Sequence, residues 1–312
     1  MKCYLKKRLL GFMIVIIGVS VLSFLLIGLS NNDPAEIIAR RGNIGATEEM
    51  IESVREDMGL SKTMPMQYLH WIKGVLTGDP GLSIYSYRPI AQDLSEFMPV
   101  TVKLTGLALI WIVLLALPLS LLCTRFKDGF IDHITRGVTI LGICLPSFWI
   151  GFMLLLIFAV NLKWFSVLPQ LGITGYLLPS LALAIPVACG VVRLFRASLL
   201  SELSSDYVLY AKARGLSPAR ILTSHVLKNA LPPIVTVFCQ YLGYLIAGGA
   251  VIESVFSLKG LGSYLIACVI AADARATSTC ILIIASVFVV ANLIGDIINR
   301  LLCPWMVGEH NG

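Results

Sequence analysis

Six apolar runs, most of them long enough to cross a bilayer, constrain this chain more than any other feature. A hydrocarbon core of about 30 Å takes about 20 helical residues at about 1.5 Å each. The runs cover about 9–29, 100–123, 138–162, 177–192, 231–252 and 277–302. No water inside lipid satisfies backbone N–H and C=O groups, so such runs must fold as helices. Composition agrees: 57% of residues are hydrophobic and 13% charged, against about 45–50% and about 25% in soluble domains. The expected fold class is an all-α membrane protein of about six transmembrane helices, a single transmembrane domain over 1–312. The first run follows Lys6, Lys7 and Arg8 and is longer than a signal-peptide core, so it reads as a retained helix. Pro118, Pro146, Pro179 and Pro186 fall inside runs. The backbone groups they free need neighbouring helices, which favours a packed bundle.

Basic residues orient the spans. Lys2, Lys6, Lys7 and Arg8 precede the first, and Arg125, Lys127 and Arg136 join the second to the third. Arg193, Arg196, Lys212, Arg214, Arg220 and Lys228 join the fourth to the fifth. With six spans all three clusters share one side, expected to be cytoplasmic together with both termini. The segment 30–99 is then external, with ten acidic and six basic residues. Within it Thr47 reads as an N-cap, Met50, Ile51, Val54 and Met58 as an apolar stripe, and Gly59 as a stop. A second amphipathic stretch runs over 65–75, with Leu69, Ile72 and Leu76 on one face. This segment suits a cap on the membrane surface and a docking surface for a partner equally. The eight cysteines, Cys144 among them, include no C-x-x-C pair and read as small buried hydrophobes.

The stretch 193–229 carries the most information. Ser205 and Asp206 read as the start of a short helix, Lys212 and Arg214 as its end, and Gly215 as its left-handed stop. Ser217 caps a second helix with Pro218 in its first position. The result is a helix–glycine–helix knuckle displaying Tyr207, Val208, Tyr210 and Ala211. Pro232 and Pro233 mark the return into the fifth span.

The run Tyr207-x-x-x-Ala211-Lys212-Ala213-Arg214-Gly215-Leu216-Ser217, with His225-x-x-x-Asn229-Ala230-Leu231-Pro232 after it, resembles the cytoplasmic loop of binding-protein-dependent ABC importer permeases, in particular the peptide and nickel class. Gly81-Leu82-Ser83, Arg88-Pro89-Ile90-x-x-Asp93, Phe97-Met98-Pro99, Leu145-Pro146-Ser147-Phe148-Trp149 and Asp296-x-x-Asn299 match in order, so the likeness runs along the whole chain. It implies a type I importer arrangement in a prokaryotic cell membrane, in which Tyr207, Tyr210, Ala211, Lys212, Ala213, Arg214, Gly215 and His225 form the coupling site for a cytoplasmic ATPase. The glutamate of the general motif falls at Leu209. The implied partners are a second permease subunit forming a heterodimer, two ATPase subunits using ATP and Mg, an external solute-binding protein and membrane lipid, with no nucleic acid. The chain lacks Gly-x-x-x-x-Gly-Lys-Ser/Thr, so it is expected to be no enzyme and to bind no cofactor itself.

The resemblance also implies an external gate on the binding-protein side at Glu253, Gly260, Gly262 and Asp273. The sequence departs from the family there, with Lys259 in place of proline and Ala274-Arg275 after the aspartate. The short loop 163–176 and the Arg88–Asp93 motif are similar to nickel or metal-chelate permeases, with a dipeptide or oligopeptide as the alternative cargo. No metal-ligand spacing is present in the sequence, so a chelate handed over by a partner suits it better than a bare ion. A secondary transporter or channel is the alternative of another class, and neither a filter-like loop nor charges at mid-membrane favour it.

Overall fold

The structure, a computed structural model, describes residues 2–28, 34–42, 46–57, 60–168 and 172–302. Leu29, Ser30, Met58, Gly59 and Cys303, which figure in the expectations above, lie outside the described residues. The described residues are mostly helical, and the one β-bridge among them joins Leu82 to Pro89. The helices are α1 (Lys2–Gly28), α2 (Pro34–Gly42), α3 (Glu48–Asp57), α4 (Met64–Thr77), α5 (Ile90–Arg125), α6 (Phe130–Cys144), α7 (Ser147–Leu154), α8 (Thr174–Leu203), α9 (Asp206–Ala213), α10 (Pro218–Ile221), α11 (Leu227–Val255), α12 (Leu261–Ile270) and α13 (Ala274–Leu302). By length and composition α5, α8, the run Pro218–Val255 and α13 qualify as spans. The shorter apolar stretch of α1 covers Leu10–Leu25.

The run expected as a third span is not one straight helix. It breaks between α6 and α7, and the two pieces meet at 104°. The cause is local: the residue before a proline is pushed out of the helical region, and Leu145 sits at φ −84°, ψ 130° ahead of Pro146 at ψ 141°. Pro232 and Pro233, by contrast, lie inside α11 and do not mark its start. The helix runs through them from Pro218, passing a π turn at Leu222–Val226. Proline inside a helix strips an amide donor from the ladder, and a π turn is a common way for a helix to absorb an irregularity.

The chain divides into two compact units. One joins Met1–Thr101 to Lys259–Val287. Its core has a layer of Ile90, Leu261, Tyr264, Cys268, Ala276 and Cys280 and a second of Phe24, Trp71 and Leu282. A smaller cluster of Ala35, Ala39 and Ile51 holds α2 to α3. Thr47 behaves as expected at the start of α3, its Oγ1 accepting from the Met50 amide at 3.4 Å. Of the expected stripe, Ile51 is buried while Met50 is exposed. On α4 only Ile72 of the expected face packs inward. Trp71 is buried with Tyr68, Ile72 and Val75 against it, while Leu69 and Leu76 point outward. Aromatic stacking explains the choice, for Trp71 lies on Phe24 with ring centroids 5.6 Å apart.

The other unit joins Val102–Leu258 to Phe288–Gly312, with α8 at its centre. Over half of the most apolar stretch of α8 is buried (56%), against 17% for α13. Between apolar helices in lipid, packing and hydrogen bonds supply the association energy. Ser120 donates to Val192 O at 3.3 Å, Ser198 to Ala230 O at 3.0 Å, and Asn299 to Thr236 Oγ1 at 2.7 Å. Cys123 and Cys239 are buried as expected, but Cys144, at the end of α6, is exposed.

Candidate coupling site and the buried-carboxylate turn

The knuckle forms where its sequence places it. Helix α9 runs Asp206–Ala213 and ends on Gly215 at φ +78°, a conformation that penalises any side chain. Ser217 then accepts from the Arg220 amide at 3.4 Å, with Pro218 opening α10. Ser205 has the extended backbone of an N-cap, but its hydroxyl caps nothing and turns back to Ser201 O at 3.5 Å.

Side-chain directions on α9 differ from the expected display. Val208 and Ala211 are buried, not presented. Tyr207 turns inward and donates to Glu202 Oε2 at 2.7 Å. Burial, helped by that bond and opposed by one with Asn229, pushes its hydroxyl up to about 12. Tyr207 thus ties α9 to the end of α8 and to Asn229 on α11, the residue that closes the second half of the matched motif. The outward surface consists of Leu209, Tyr210, Lys212, Ala213, Arg214 and Gly215, with His225 exposed on the π turn. Arg214 lies over the Tyr210 ring at 5.7 Å. Leu209 was marked in the sequence only as the place of a missing glutamate; the structure makes it one of the two large apolar groups on this surface.

An ion pair that sequence reasoning missed lies within the same unit. Asp132 on α6 is fully buried and accepts from Arg196 on α8 through Nε and Nη2, both at 2.7 Å. The Asp128 amide adds a third bond at 3.0 Å. The partners stand 64 positions apart, which leaves no local signal. Only the pairing of an acid in the first turn of α6 with a base on α8 could have suggested it.

The expected gate residues fall into both units, Glu253 in one and Gly260, Gly262 and Asp273 in the other. Glu253 is fully buried near the end of α11, and its carbonyl accepts from the Leu258 amide at 2.7 Å. Gly260 precedes α12, its amide donating to Ser263 Oγ at 3.0 Å, and Gly262 is buried in the first turn. Asp273 is 1% exposed. It accepts from Ser83 Oγ at 2.6 Å, from the Ile84 amide at 2.6 Å and from the Tyr85 amide at 3.2 Å. Its second oxygen takes the Ala276 amide at 3.1 Å, capping α13. A second buried carboxylate, Asp93, accepts from Ser86 Oγ and, at 2.9 Å, from Tyr264 OH. The two acids hold the 81–89 turn, in which Gly81 stands at φ +98° and Tyr87 at φ +58°. Arg275, one of the sequence's departures, packs its guanidinium against Gly81. Arg88 pairs with Glu96, and that hydrogen bond raises its pKa.

A cavity of about 260 Å³ opens among α5, α8, α11 and α13, lined by Ile112, Ala116, Phe195, Leu231, Phe238 and Ile298. Its walls are apolar and offer nothing to orient a polar cargo. Among the described residues no group of three or more His, Cys, Asp and Glu could hold a metal ion.

Comparison with known proteins shows two family matches. Residues 116–308 match the binding-protein-dependent transport system inner membrane component, and residues 1–105 match the N-terminal part of the same kind of membrane component. The glutathione transport system permease protein GsiC of Pectobacterium atrosepticum is 35% identical over 305 residues, 96% of this chain and 97% of that protein. GsiC of Escherichia coli K12 shows the same identity and coverage. Among solved structures, a chain of the inward-facing MetNI methionine ABC transporter aligns with a TM-score of 0.55 at 18% identity, over 67% of this chain and 95% of that one. That likeness shows the fold, a type I importer arrangement of membrane helices.

Proposed function

The chain belongs to the family of binding-protein-dependent transport system inner membrane components, and from that membership we propose that it forms one of two permease halves of an ATP-driven importer whose cargo is a small peptide of the glutathione kind. It is an ABC importer permease subunit. The observation that carries the mechanism is the 205–217 knuckle. A left-handed glycine ends a short helix that is anchored inward by Tyr207 and shows Leu209 and Tyr210 outward. Two large apolar side chains beside exposed Lys212 and Arg214, on the side rich in basic loops, suit a groove on a cytoplasmic ATPase subunit. Small Ala213 and Gly215 let that surface approach closely. A push there passes along the helix from Pro218 to Val255, so nucleotide-driven motion in the ATPases would rock the spans and open the pore to one side or the other.

The remaining partners follow from the same reading: two ATPase subunits, a second permease subunit, and an external solute-binding protein that delivers the cargo. The cargo reading rests on relatives named for glutathione that align along almost the whole chain. The nickel or chelate cargo expected from the 163–176 loop is the competitor. One experiment decides between them: titrate the cognate binding protein with glutathione, dipeptides, nickel and nickel chelates, then follow ATP-driven uptake into vesicles holding the whole importer. Peptide binding with peptide uptake is the expected result. Nickel or chelate binding with no peptide uptake would overturn the cargo reading and leave the permease reading standing.

A further inference from the structure

We infer that α4 is an interfacial helix whose lateral face is embedded among the lipid chains of the leaflet at the Gly28 end of α1. Its depth follows from what it touches. Tyr68 OH pairs with Ser20 Oγ at 2.8 Å, and Trp71 stacks on Phe24 and donates to Thr279 Oγ1 at 3.1 Å. Phe24 lies five residues from the end of the apolar run 9–29, about 7 Å at a rise of about 1.5 Å per residue, and Thr279 lies two residues inside the apolar run 277–302. The inner face of α4 is therefore sunk below the end of the hydrocarbon-facing part of α1, at the depth where interfacial helices sit.

The helix has three faces. Tyr68, Trp71, Ile72 and Val75 pack inward. Gln67, His70 and Thr77 form a polar stripe on the other side, Gln67 bonding Leu60 O at 2.9 Å and Lys62 O at 2.8 Å. Between them Leu69, Lys73 and Leu76 make a lateral stripe at helical spacing. Leu69 is 57% exposed and Leu76 82%. Water would penalise such a stripe, and at this depth lipid is the solvent. On α1 the side chains of Ile17, Val21, Leu22 and Leu25 are likewise apolar and exposed, as suits a lipid-facing surface. Lys73 on the edge of the stripe can extend its amine to lipid phosphates while its stem stays apolar.

This inference rests on α1 crossing the bilayer and is independent of the cargo. It is tested in the whole importer, reconstituted in vesicles of phosphatidylethanolamine and phosphatidylglycerol. Leu69→p-benzoylphenylalanine and Leu76→p-benzoylphenylalanine are photolysed and the adducts weighed by mass spectrometry. Leu22→p-benzoylphenylalanine is the lipid-facing reference and Thr77→p-benzoylphenylalanine the polar-side one. The expected result is phospholipid adducts at 69 and 76 in yields like those at 22 and about tenfold above those at 77. Adducts to another protein subunit at 69 and 76, or yields there no higher than at 77 while 22 labels, would overturn the inference.

Discussion

The turn at 81–89 and the knuckle at 205–217 each hinge on a left-handed glycine, Gly81 at φ +98° and Gly215 at φ +78°, but different forces hold them. The turn is tied from outside itself. Asp273, 190 residues away, takes its Ser83 hydroxyl and the Ile84 and Tyr85 amides, and Asp93 takes Ser86. With that many bonds a bulky Tyr87 stays at φ +58°, a strain that only an over-determined surrounding sustains. The knuckle is held by its own local chain chemistry: a glycine stop, a Ser217 cap, a proline start, and one inward tyrosine. Its outward side chains Leu209 and Tyr210 are exposed, and Arg214 lies over the Tyr210 ring. The turn is fixed by distant partners, and the knuckle leaves Leu209 and Tyr210 exposed beside its own local caps.

Substitutions should separate stability from transport along that divide. Asp273→Ala should cost most. It strands a hydroxyl and three amides that the carboxylate now satisfies, and we expect a loss of about 3 kcal/mol, read as a lower unfolding temperature of the detergent-solubilised protein. Gly215→Val comes next, at about 2 kcal/mol for a β-branched residue forced left-handed, with Gly215→Asn recovering much of it. Tyr264→Phe removes one of the bonds to Asp93 and should cost about 1 kcal/mol; an unchanged unfolding temperature would show that the second carboxylate is not a fixing point. Leu209→Asp should be nearly neutral for stability, within about 0.5 kcal/mol as at other exposed sites, yet stop uptake. If Leu209→Asp unfolded the protein instead, the two regions would not differ in the way described.

What the sequence discloses follows the range of the interaction. The knuckle was legible because caps, stops and proline positions are local, and Gly215 and Ser217 stand as expected. Even there the Ser205 hydroxyl turns back to Ser201 although its backbone stands at the N-cap, and Val208 and Ala211 turn inward, because which face of a short helix packs depends on neighbours far along the chain. The bend at Leu145-Pro146 was signalled by its proline but read as part of one span, since hydropathy carries no direction. The Asp132–Arg196 pair and the Asp273 hub were not legible at all. Their partners lie 64 and about 190 residues apart, and single charges carry no periodic signal. On α4, periodicity found an apolar stripe but could not tell the lateral stripe from the inward one.

Engagement of a separate ATPase subunit by the outward surface of α9 is tested by purifying the membrane-inserted importer carrying Leu209→Asp together with Tyr210→Asp and measuring how much ATPase subunit comes with it. The expected result is a permease present at wild-type level, unchanged in unfolding temperature and stripped of its ATPase. Full retention of the ATPase on that doubly charged knuckle would contradict it.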